Sequence, residues 1–146
     1  MEFDKNVIKD KLIDYAKSLD ERNWSNLENI FDQSATAEYG NDSIGLKFLS
    51  NSRDEIIEMC MSNLNGCGFT QHLLGNFDIK FKNDTAESSC YVRVYHVGKE
   101  PNQNEFYEMF GEYIDNWKKI NNSWFIVQRK LIVNYERGNR DKVLAP

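Results

Sequence analysis

The sequence predicts an α+β domain in which three helices cover a curved antiparallel sheet. The first half of the chain repeats apolar residues at three- and four-residue steps, which is typical of amphipathic helices. The second half contains four long runs of β-branched and aromatic residues, which are typical of strands. With 146 residues the chain has little room for two domains, so we expect one over residues 1–146, with its core at about residues 5–138. Three helices across the concave face of such a sheet would enclose a pocket.

Three helices are predicted in the first half. The first has one apolar stripe, which is formed by Val7, Ile8, Leu12, Tyr15, Ala16 and Leu19. A shorter helix is indicated over residues 24–31, and residues 35–39 favour a short strand. The third helix begins at Ser52, a suitable N-cap, with Glu55 as the acid of a capping box. It ends at the turn signal of residues 65–66.

Four long strands are predicted in the second half, over residues 73–81, 88–97, 105–120 and 123–135. Asparagine-containing turns at residues 83–84 and 121–122 follow the first and third of them. Long antiparallel strands curl through twist and bulges, and Gly75 and Gly111 are the candidate bulge points. The tail after Gly138 is polar, and we expect it to be loosely held.

Charge and hydropathy make several partners poor hypotheses. The net charge is −5 and no run of Lys or Arg looks like a concentrated basic face, which argues against nucleic-acid binding. The sequence shows no signal peptide and no stretch of about 20 apolar residues. We therefore expect a cytoplasmic protein without membrane contacts.

Other features favour a small-molecule ligand and chemistry by side chains alone. Aromatic residues make up 13% of the chain, and such side chains line pockets for apolar ligands as well as cores. Cys60, Cys67 and Cys90 form an odd set without CxxC spacing, which favours free thiols. The sequence contains no P-loop, GxGxxG or nucleophile-elbow motif, and its two histidines lack a third close ligand. We therefore expect neither a cofactor nor a metal.

His72 and His96 are the only histidines and the leading candidates for chemistry. A lone histidine is more often a structural residue than a catalytic one. On its strand, His96 shares the smaller and more apolar face, which we expect to point inward. His72 lies at the start of another strand, with the parity of Leu74. Two histidines that point into one cavity would be unusual in a core that has no task for them.

Four further residues have both a structural and a functional interpretation. Asp20, at the end of the first apolar stripe, is either a solvated turn residue or a carboxylate that orients an imidazole. Tyr15 and Tyr39 either pack in the core or polarise a substrate carbonyl. Arg129 interrupts an apolar strand and either faces the cavity, where it needs an anionic partner, or faces solvent.

Several segments together resemble one known family. Residues 15–24 (Tyr-Ala-Lys-Ser-Leu-Asp-Glu-Arg-Asn-Trp), then Phe31 and residues 35–39, resemble the opening of SnoaL-like domains in the nuclear transport factor 2-like superfamily. Residues 70–76 (Thr-Gln-His-Leu-Leu-Gly-Asn) look like the histidine strand of this family, and residues 117–124 resemble its last hairpin. The resemblance spans most of the chain and implies a cone-shaped curved sheet, with three N-terminal helices enclosing a cavity.

Within the superfamily, the motifs are most similar to those of scytalone dehydratase and the bile-acid 7α-dehydratases. The resemblance implies that His72 and Asp20 form a histidine–aspartate dyad in a closed cavity. It also implies that Tyr39 and His96 are catalytic.

The expected substrate-binding residues are Tyr15, Tyr113 and Arg129. Leu19 stands where scytalone dehydratase has a tyrosine, and Gly111 and Tyr113 replace its small polar ligand-binding residues. The resemblance therefore implies a different substrate from that of scytalone dehydratase.

The function implied is that of a cofactor-independent lyase, which dehydrates a small hydroxylated carbonyl compound of polycyclic or aromatic type. His72 would remove a proton α to the carbonyl, which Tyr39 or Tyr15 would polarise. His96 or the returning proton of His72 would assist the departure of hydroxide. The alternatives are an isomerase or polyketide-type cyclase that uses the same cavity, and a non-catalytic ligand-binding or oligomerisation module. The fold also implies a homodimer or homotrimer that associates through the convex face of the sheet.

Overall fold

The computed structural model, which describes residues 2–144, has a curved six-stranded sheet with helices on its concave side. The α-helices are α1 (Glu2–Asp20), α2 (Arg53–Leu64) and the short α3 (Arg140–Val143). Two 3-10 helices cover Trp24–Asn29 and Asp42–Ile44. The strands are β1 (Phe31–Asn41), β2 (Leu46–Ser50), β3 (Cys67–Lys82), β4 (Thr85–Gly98), β5 (Phe106–Ile120) and β6 (Ser123–Gly138). This architecture confirms the predicted α+β fold class.

The predicted apolar stripe is the buried face of α1. Ile8, Leu12 and Tyr15 are fully buried, and burial of a large apolar side chain contributes about 1.5–3 kcal/mol, so the stripe anchors α1 in the core. The predicted start of α2 is also confirmed, because Ser52 Oγ accepts the backbone N–H of Glu55 at 3.2 Å. No helix within residues 2–144 has both the length and the apolar character needed to cross a membrane.

The strand order is β2-β1-β6-β5-β4-β3, and all neighbours are antiparallel except β1 and β6, which are parallel. The prediction lacks both β2 and this parallel pair. The chain leaves β1, passes through β2, α2 and three long strands, and returns to β1 as β6. A parallel pair needs such a long connection, whereas β3 to β6 follow one another through short connections and are antiparallel.

Both predicted bulge points coincide with irregular pairing. The register of β3 on β4 shifts between Gly75 and Asp78, and that of β5 on β6 shifts at Gly111. Before the shift at Gly75, the even-numbered residues from Thr70 to Leu74, among them His72, face inward. After it the odd-numbered residues, among them Ile79, are the buried ones. The bulge thus lets one strand contribute polar groups at one end and core residues at the other.

The end of the chain differs from the prediction of a loosely held tail. Val143 is fully buried, and its carbonyl oxygen accepts a hydrogen bond from the Cys67 thiol at 3.2 Å. Arg140 Nη2 donates to the carbonyl oxygen of Ile44 at 3.0 Å. Val143 is an apolar residue in a mostly polar segment, and its burial is what fixes this segment against the sheet. Residues 145–146 of the predicted tail lie outside the described residues.

The convex face of the sheet carries several exposed apolar side chains, which include Phe69, Leu73, Tyr91, Ile114 and Tyr135. A homodimer or homotrimer that formed through this face would bury them. Self-association stays a prediction.

Candidate active site

A cavity of about 90 Å³ lies between α1, α2 and the concave face of the sheet. Its walls are mostly apolar. Five of the seven predicted site residues line it, namely Tyr15, Tyr39, His72, His96 and Tyr113. The other two, Asp20 and Arg129, contact lining residues from behind.

His72 and Asp20 are in direct contact. His72 Nδ1 lies 2.6 Å from Asp20 Oδ1, and the His72 backbone N–H donates to Asp20 Oδ2 at 2.9 Å. Asp20 is the last residue of α1, so its side chain joins the helix to β3. A carboxylate can only accept, so Nδ1 carries the hydrogen of the neutral imidazole and Nε2 is left as an acceptor. The site thus contains the geometry of a histidine–aspartate dyad.

Two residues that the sequence analysis does not single out complete this network. Thr70 Oγ1 donates to Asp20 Oδ1 at 3.0 Å, and Arg22 Nη1 donates to Thr70 Oγ1 at 2.8 Å. Thr70 is detectable in principle, because it lies two residues before His72 and therefore shares its face of β3. Arg22 lies in the turn after α1, where sequence periodicity gives no signal.

His96 lies beside His72, with ring centroids 6.1 Å apart, but its environment is different. His96 Nδ1 is 2.8 Å from the carbonyl oxygen of Tyr107, so Nδ1 carries the hydrogen and Nε2 carries none. Burial lowers the pKa of His96 to about 4, although the hydrogen bond to Tyr107 opposes this effect. Near neutral pH, His96 is therefore a hydrogen-bond acceptor at Nε2. This arrangement does not support the expected role of His96 as the group that protonates the leaving hydroxide.

A second polar region, here called the tyrosine cluster, consists of Tyr15, Tyr39, Tyr113 and Cys60. The hydroxyl oxygens of Tyr15 and Tyr39 are 2.6 Å apart, and the Tyr15 ring packs edge-on against Tyr113 with centroids 5.7 Å apart. Burial raises the pKa of Tyr15 and Tyr39 well above the usual tyrosine value, and it raises the pKa of Cys60 to about 11. The hydroxyls therefore stay protonated, and neutral hydroxyl donors stabilise a developing oxyanion.

Arg129 lies behind the tyrosine cluster and is completely buried. Its Nε and Nη2 each lie 2.7 Å from a carboxylate oxygen of Asp115, and both side chains have 0% exposure. The guanidinium is 4.0 Å from the ring centroid of Tyr113 and 4.3 Å from that of Tyr15. Burial alone would lower the pKa of Arg129, but Asp115 and the neighbouring tyrosines raise it well above its usual value. The anionic partner of Arg129 is thus Asp115, and the expected contact between Arg129 and a substrate is not supported.

The family model that describes a SnoaL-like domain matches residues 4–130. This chain belongs to the SnoaL-like domain family. The dyad lies within the matched segment, and so does the tyrosine cluster. No curated protein sequence matches this SnoaL-like domain.

Solved structures share the fold of this SnoaL-like domain at low sequence identity. A candidate scytalone dehydratase from Novosphingobium aromaticivorans has a TM-score of 0.81 and 19% identity over 92% of this chain and 87% of its own. The hexachlorocyclohexane dehydrochlorinase LinA-type3 from Novosphingobium barchaimii has a TM-score of 0.79 and 14% identity over 98% and 94%. The β subunit of a candidate aromatic-ring-hydroxylating dioxygenase from N. aromaticivorans has a TM-score of 0.74 and 16% identity over 93% and 92%. At these identities the likeness establishes the fold alone.

The SnoaL-like domain therefore holds three kinds of polar group around a small apolar space. His72 can take up a proton at Nε2, because Asp20 can stabilise the resulting imidazolium. His96 can accept a hydrogen bond, and the tyrosine cluster can donate one. These are the components of acid–base chemistry on a carbonyl compound.

Proposed function

We propose that this SnoaL-like domain is a lyase that removes water from a small, uncharged hydroxylated carbonyl compound by acid–base chemistry of its own side chains. The observation that carries the proposal is the 2.6 Å contact between His72 Nδ1 and Asp20 Oδ1, which leaves His72 Nε2 available to the cavity. Family membership and two structural relatives named for elimination reactions, a dehydratase and a dehydrochlorinase, support this reaction class.

The first step is proton transfer from the carbon α to the carbonyl onto His72 Nε2. The electrons of the broken C–H bond move to the carbonyl oxygen, and the hydroxyl of Tyr39 or Tyr15 donates a hydrogen bond to the enolate. Asp20 stabilises the imidazolium, since opposite charges at about 4 Å attract by roughly 4 kcal/mol at an effective dielectric constant of about 20, before desolvation. His96 has no carboxylate in this position, because its Nδ1 lies against the carbonyl oxygen of Tyr107.

The second step releases water. The bond between the β carbon and its hydroxyl oxygen breaks, the enolate electrons form the carbon–carbon double bond, and the proton on His72 Nε2 passes to the departing hydroxide. His96 has no hydrogen on Nε2 to give, so its role is to accept a hydrogen bond from the substrate hydroxyl and hold it near His72. His72 thus acts first as base and then as acid, and every proton is accounted for.

Charge and volume restrict the substrate. The Arg129 guanidinium is neutralised by Asp115, so a substrate carboxylate in the cavity would find no free charge there, and burial of an unpaired charge is costly. The cavity volume of about 90 Å³ is smaller than the roughly 150 Å³ that encloses benzene in an engineered protein cavity. These properties favour a neutral short-chain compound, or at most one small ring, over a polycyclic compound, which is one of the two kinds of substrate (polycyclic or aromatic) that we expect from the sequence.

Two alternatives use the same cavity. Isomerisation and aldol-type cyclisation also begin with removal of a proton next to a carbonyl, and product mass separates them from dehydration, because only dehydration loses water. A non-catalytic binding module would keep the cavity and show no turnover, and the β subunit among the structural relatives is the reason to test for it.

Two neutral monocyclic ketones test the proposal. Cyclohexanone in D2O reports the first step by enzyme-dependent loss of its α-proton NMR signals. 3-Hydroxycyclohexanone reports the full reaction, because its dehydration to 2-cyclohexenone lowers the mass by one water. We expect His72→Ala to lower both rates by about 10²–10⁴.

Gln71→Ala is the matched control, because Gln71 is the exposed neighbour of His72 on the other face of β3. We expect both variants to keep the circular dichroism spectrum of the parent protein. Full activity in His72→Ala would end the proposal. Thermal stabilisation by cyclohexanone without proton exchange in the parent protein would support the binding module instead.

A further inference from the structure

We propose that Arg22 and Thr70 are positioning residues that hold the Asp20 carboxylate in line with His72, an inference that rests on the proposed function of the dyad. Neither residue lines the cavity, so neither is placed to touch a substrate there. Three observations carry the inference: the span of the Arg22 contacts, the backbone conformation of Arg22 and the direction of the hydrogen bonds.

The Arg22 guanidinium joins the end of α1 to the start of β3. Its Nη1 donates to the carbonyl oxygen of Leu19 and to Thr70 Oγ1, both at 2.8 Å. Its Nη2 donates to the carbonyl oxygen of Gly68 at 2.8 Å. The two members of the dyad come from these same two elements, with Asp20 at the last position of α1 and His72 on β3. Arg22 therefore ties together the two backbone segments whose separation sets the distance between carboxylate and imidazole.

The backbone of Arg22 adopts a left-handed conformation with a φ of 59°. This conformation costs free energy for a residue with a Cβ and is easier for glycine or asparagine. This turn is the left-handed end of helix α1, and the backbone closes it, because the N–H of Asn23 donates to the carbonyl oxygen of Ser18 at 2.8 Å and that of Arg22 to the carbonyl oxygen of Leu19 at 3.1 Å. Glycine and asparagine are the usual residues at such a position, and the arginine found here adds a side chain that reaches Thr70 Oγ1 and the carbonyl oxygen of Gly68 on β3.

The chemistry of the donors sets the direction of the whole chain of hydrogen bonds. Arginine only donates, so Thr70 Oγ1 accepts from Arg22 and must use its single hydrogen for Asp20 Oδ1, 3.0 Å away. Asp20 Oδ1 then receives two donors, Thr70 Oγ1 and His72 Nδ1, while Oδ2 receives the backbone N–H of His72. Three donors fix both the place and the rotation of the carboxylate. Without Thr70, both remaining donors belong to His72, and nothing independent of that residue orients the carboxylate.

The first experiment measures His72 directly and needs no substrate. Protein carrying 15N-labelled histidine gives separate imidazole signals for two residues, and His72→Gln assigns them. In the parent protein we expect a His72 Nδ1–H signal shifted by its short hydrogen bond to Asp20. In Thr70→Val and in Arg22→Asn we expect this signal to move towards that of a weaker hydrogen bond or to exchange with water. Asparagine accepts a positive φ, so Arg22→Asn removes the guanidinium without adding backbone strain.

The second experiment measures the reaction. With cyclohexanone in D2O we expect Thr70→Val to lower kcat about tenfold with KM unchanged, because the substrate does not touch Thr70. Thr70→Ser keeps the hydroxyl and should restore both the rate and the His72 signal. A purely structural role would lower thermal stability in Thr70→Val and Arg22→Asn while leaving the signal and kcat unchanged.

The outcomes separate this inference from the proposed function. If the parent protein exchanges cyclohexanone and both variants keep its His72 signal and kcat, the inference is wrong and the proposed function stands. If the parent protein processes neither ketone, the proposed function fails, and the NMR experiment alone decides whether Arg22 and Thr70 position the dyad. If Thr70→Val does not fold, Arg22→Asn decides, because Arg22 is only half-buried and its substitution leaves the buried Thr70 hydroxyl in place.

Discussion

Two acid–base pairs near the cavity have almost the same contact distance and differ in whether the base can change its charge. Asp20 lies 2.6 Å from His72, and Asp115 lies 2.7 Å from Arg129. The Asp20 side chain is 22% exposed and the His72 side chain 5%, whereas Asp115 and Arg129 have 0% exposure. An imidazole exchanges protons near neutral pH and a guanidinium does not. A contact between a carboxylate and a base is therefore no sign of catalysis by itself, and what matters is whether the base can change its charge and keeps a free nitrogen.

The largest expected effect is on the fully buried pair of Asp115 and Arg129. Asp115→Ala would leave the Arg129 cation buried without a partner, and breaking a buried ion pair costs about 3–5 kcal/mol. Urea unfolding monitored by tryptophan fluorescence measures this loss. We expect the double variant Asp115→Leu with Arg129→Met to recover much of it, because no buried charge remains. An unchanged unfolding free energy in Asp115→Ala would contradict the assignment of Asp115 as the partner that neutralises buried Arg129.

The second-largest expected effect is the contribution of His96 to the pH dependence of the unfolding free energy. The pKa of His96 is about 4 in the folded protein and about 6.5 when unperturbed, so below pH 6.5 the unfolded state binds more protons than the folded state. Stability is therefore lost as the pH falls from about 6.5 to about 4, by about 3 kcal/mol from this group. His96→Asn keeps a donor for the carbonyl of Tyr107 and should lack this contribution. The measurement is the unfolding free energy of both proteins across that range, and equal slopes would contradict the assignment.

Asp20→Asn tests the partly exposed pair of Asp20 and His72. An amide cannot stabilise an imidazolium as a carboxylate does, so we expect cyclohexanone exchange to fall by about 10². The unfolding free energy should fall by about 1–2 kcal/mol, because the amide Nδ2 would face one of the three donors that the carboxylate accepts. Asp10→Asn, an exposed carboxylate on the same helix, is the matched control and should change neither quantity. A loss of stability without loss of exchange would mean that Asp20 behaves like Asp115.

The smallest expected effect concerns the hydroxyl donors. Tyr15→Phe should lower kcat for cyclohexanone exchange about tenfold, since one hydrogen bond to a developing oxyanion is lost and the hydroxyl of Tyr39 remains. Tyr95→Phe removes a hydroxyl from the exposed outer face of β4 and should have no effect. A Tyr15→Phe protein that exchanges cyclohexanone at the full rate would restrict the donor role to Tyr39.

Patterns that depend on one element alone are predictable from the sequence. The apolar stripe of α1, the capping of α2 by Ser52 and the inward face of β4 with His96 follow from helical and strand periodicity, and the structure confirms them. The change of phase in β3 at Gly75 also follows, because a glycine inside a long strand favours a bulge.

Features that depend on the pairing of distant elements are not predictable in this way. Asp115 is directly opposite Arg129 in the β5–β6 pair, and this register depends on the irregularity at Gly111. The sequence therefore leaves the orientation of Arg129 open. The position of the hydrogen on the His96 ring depends on a backbone carbonyl of the neighbouring strand, and the sequence does not indicate which carbonyl contacts the ring. Arg22 is not predictable from the sequence, because its role depends on a left-handed turn and on two acceptors that are distant in sequence, Gly68 and Thr70.

The parallel pairing of β1 with β6 bears on how the site assembles during folding. It joins residues 31–39 to residues 126–131, so Tyr39 and Arg129 meet only after most of the chain has been synthesised and arranged. Contacts between segments so distant in sequence slow folding, because a long loop must close before they form. The contact of Tyr39 with Arg129 therefore cannot form before β1 pairs with β6. The hairpin of β3 and β4, which carries both histidines, joins segments that are close in sequence and can form earlier. The proposed activity should therefore appear late in refolding, together with the pairing of β1 with β6.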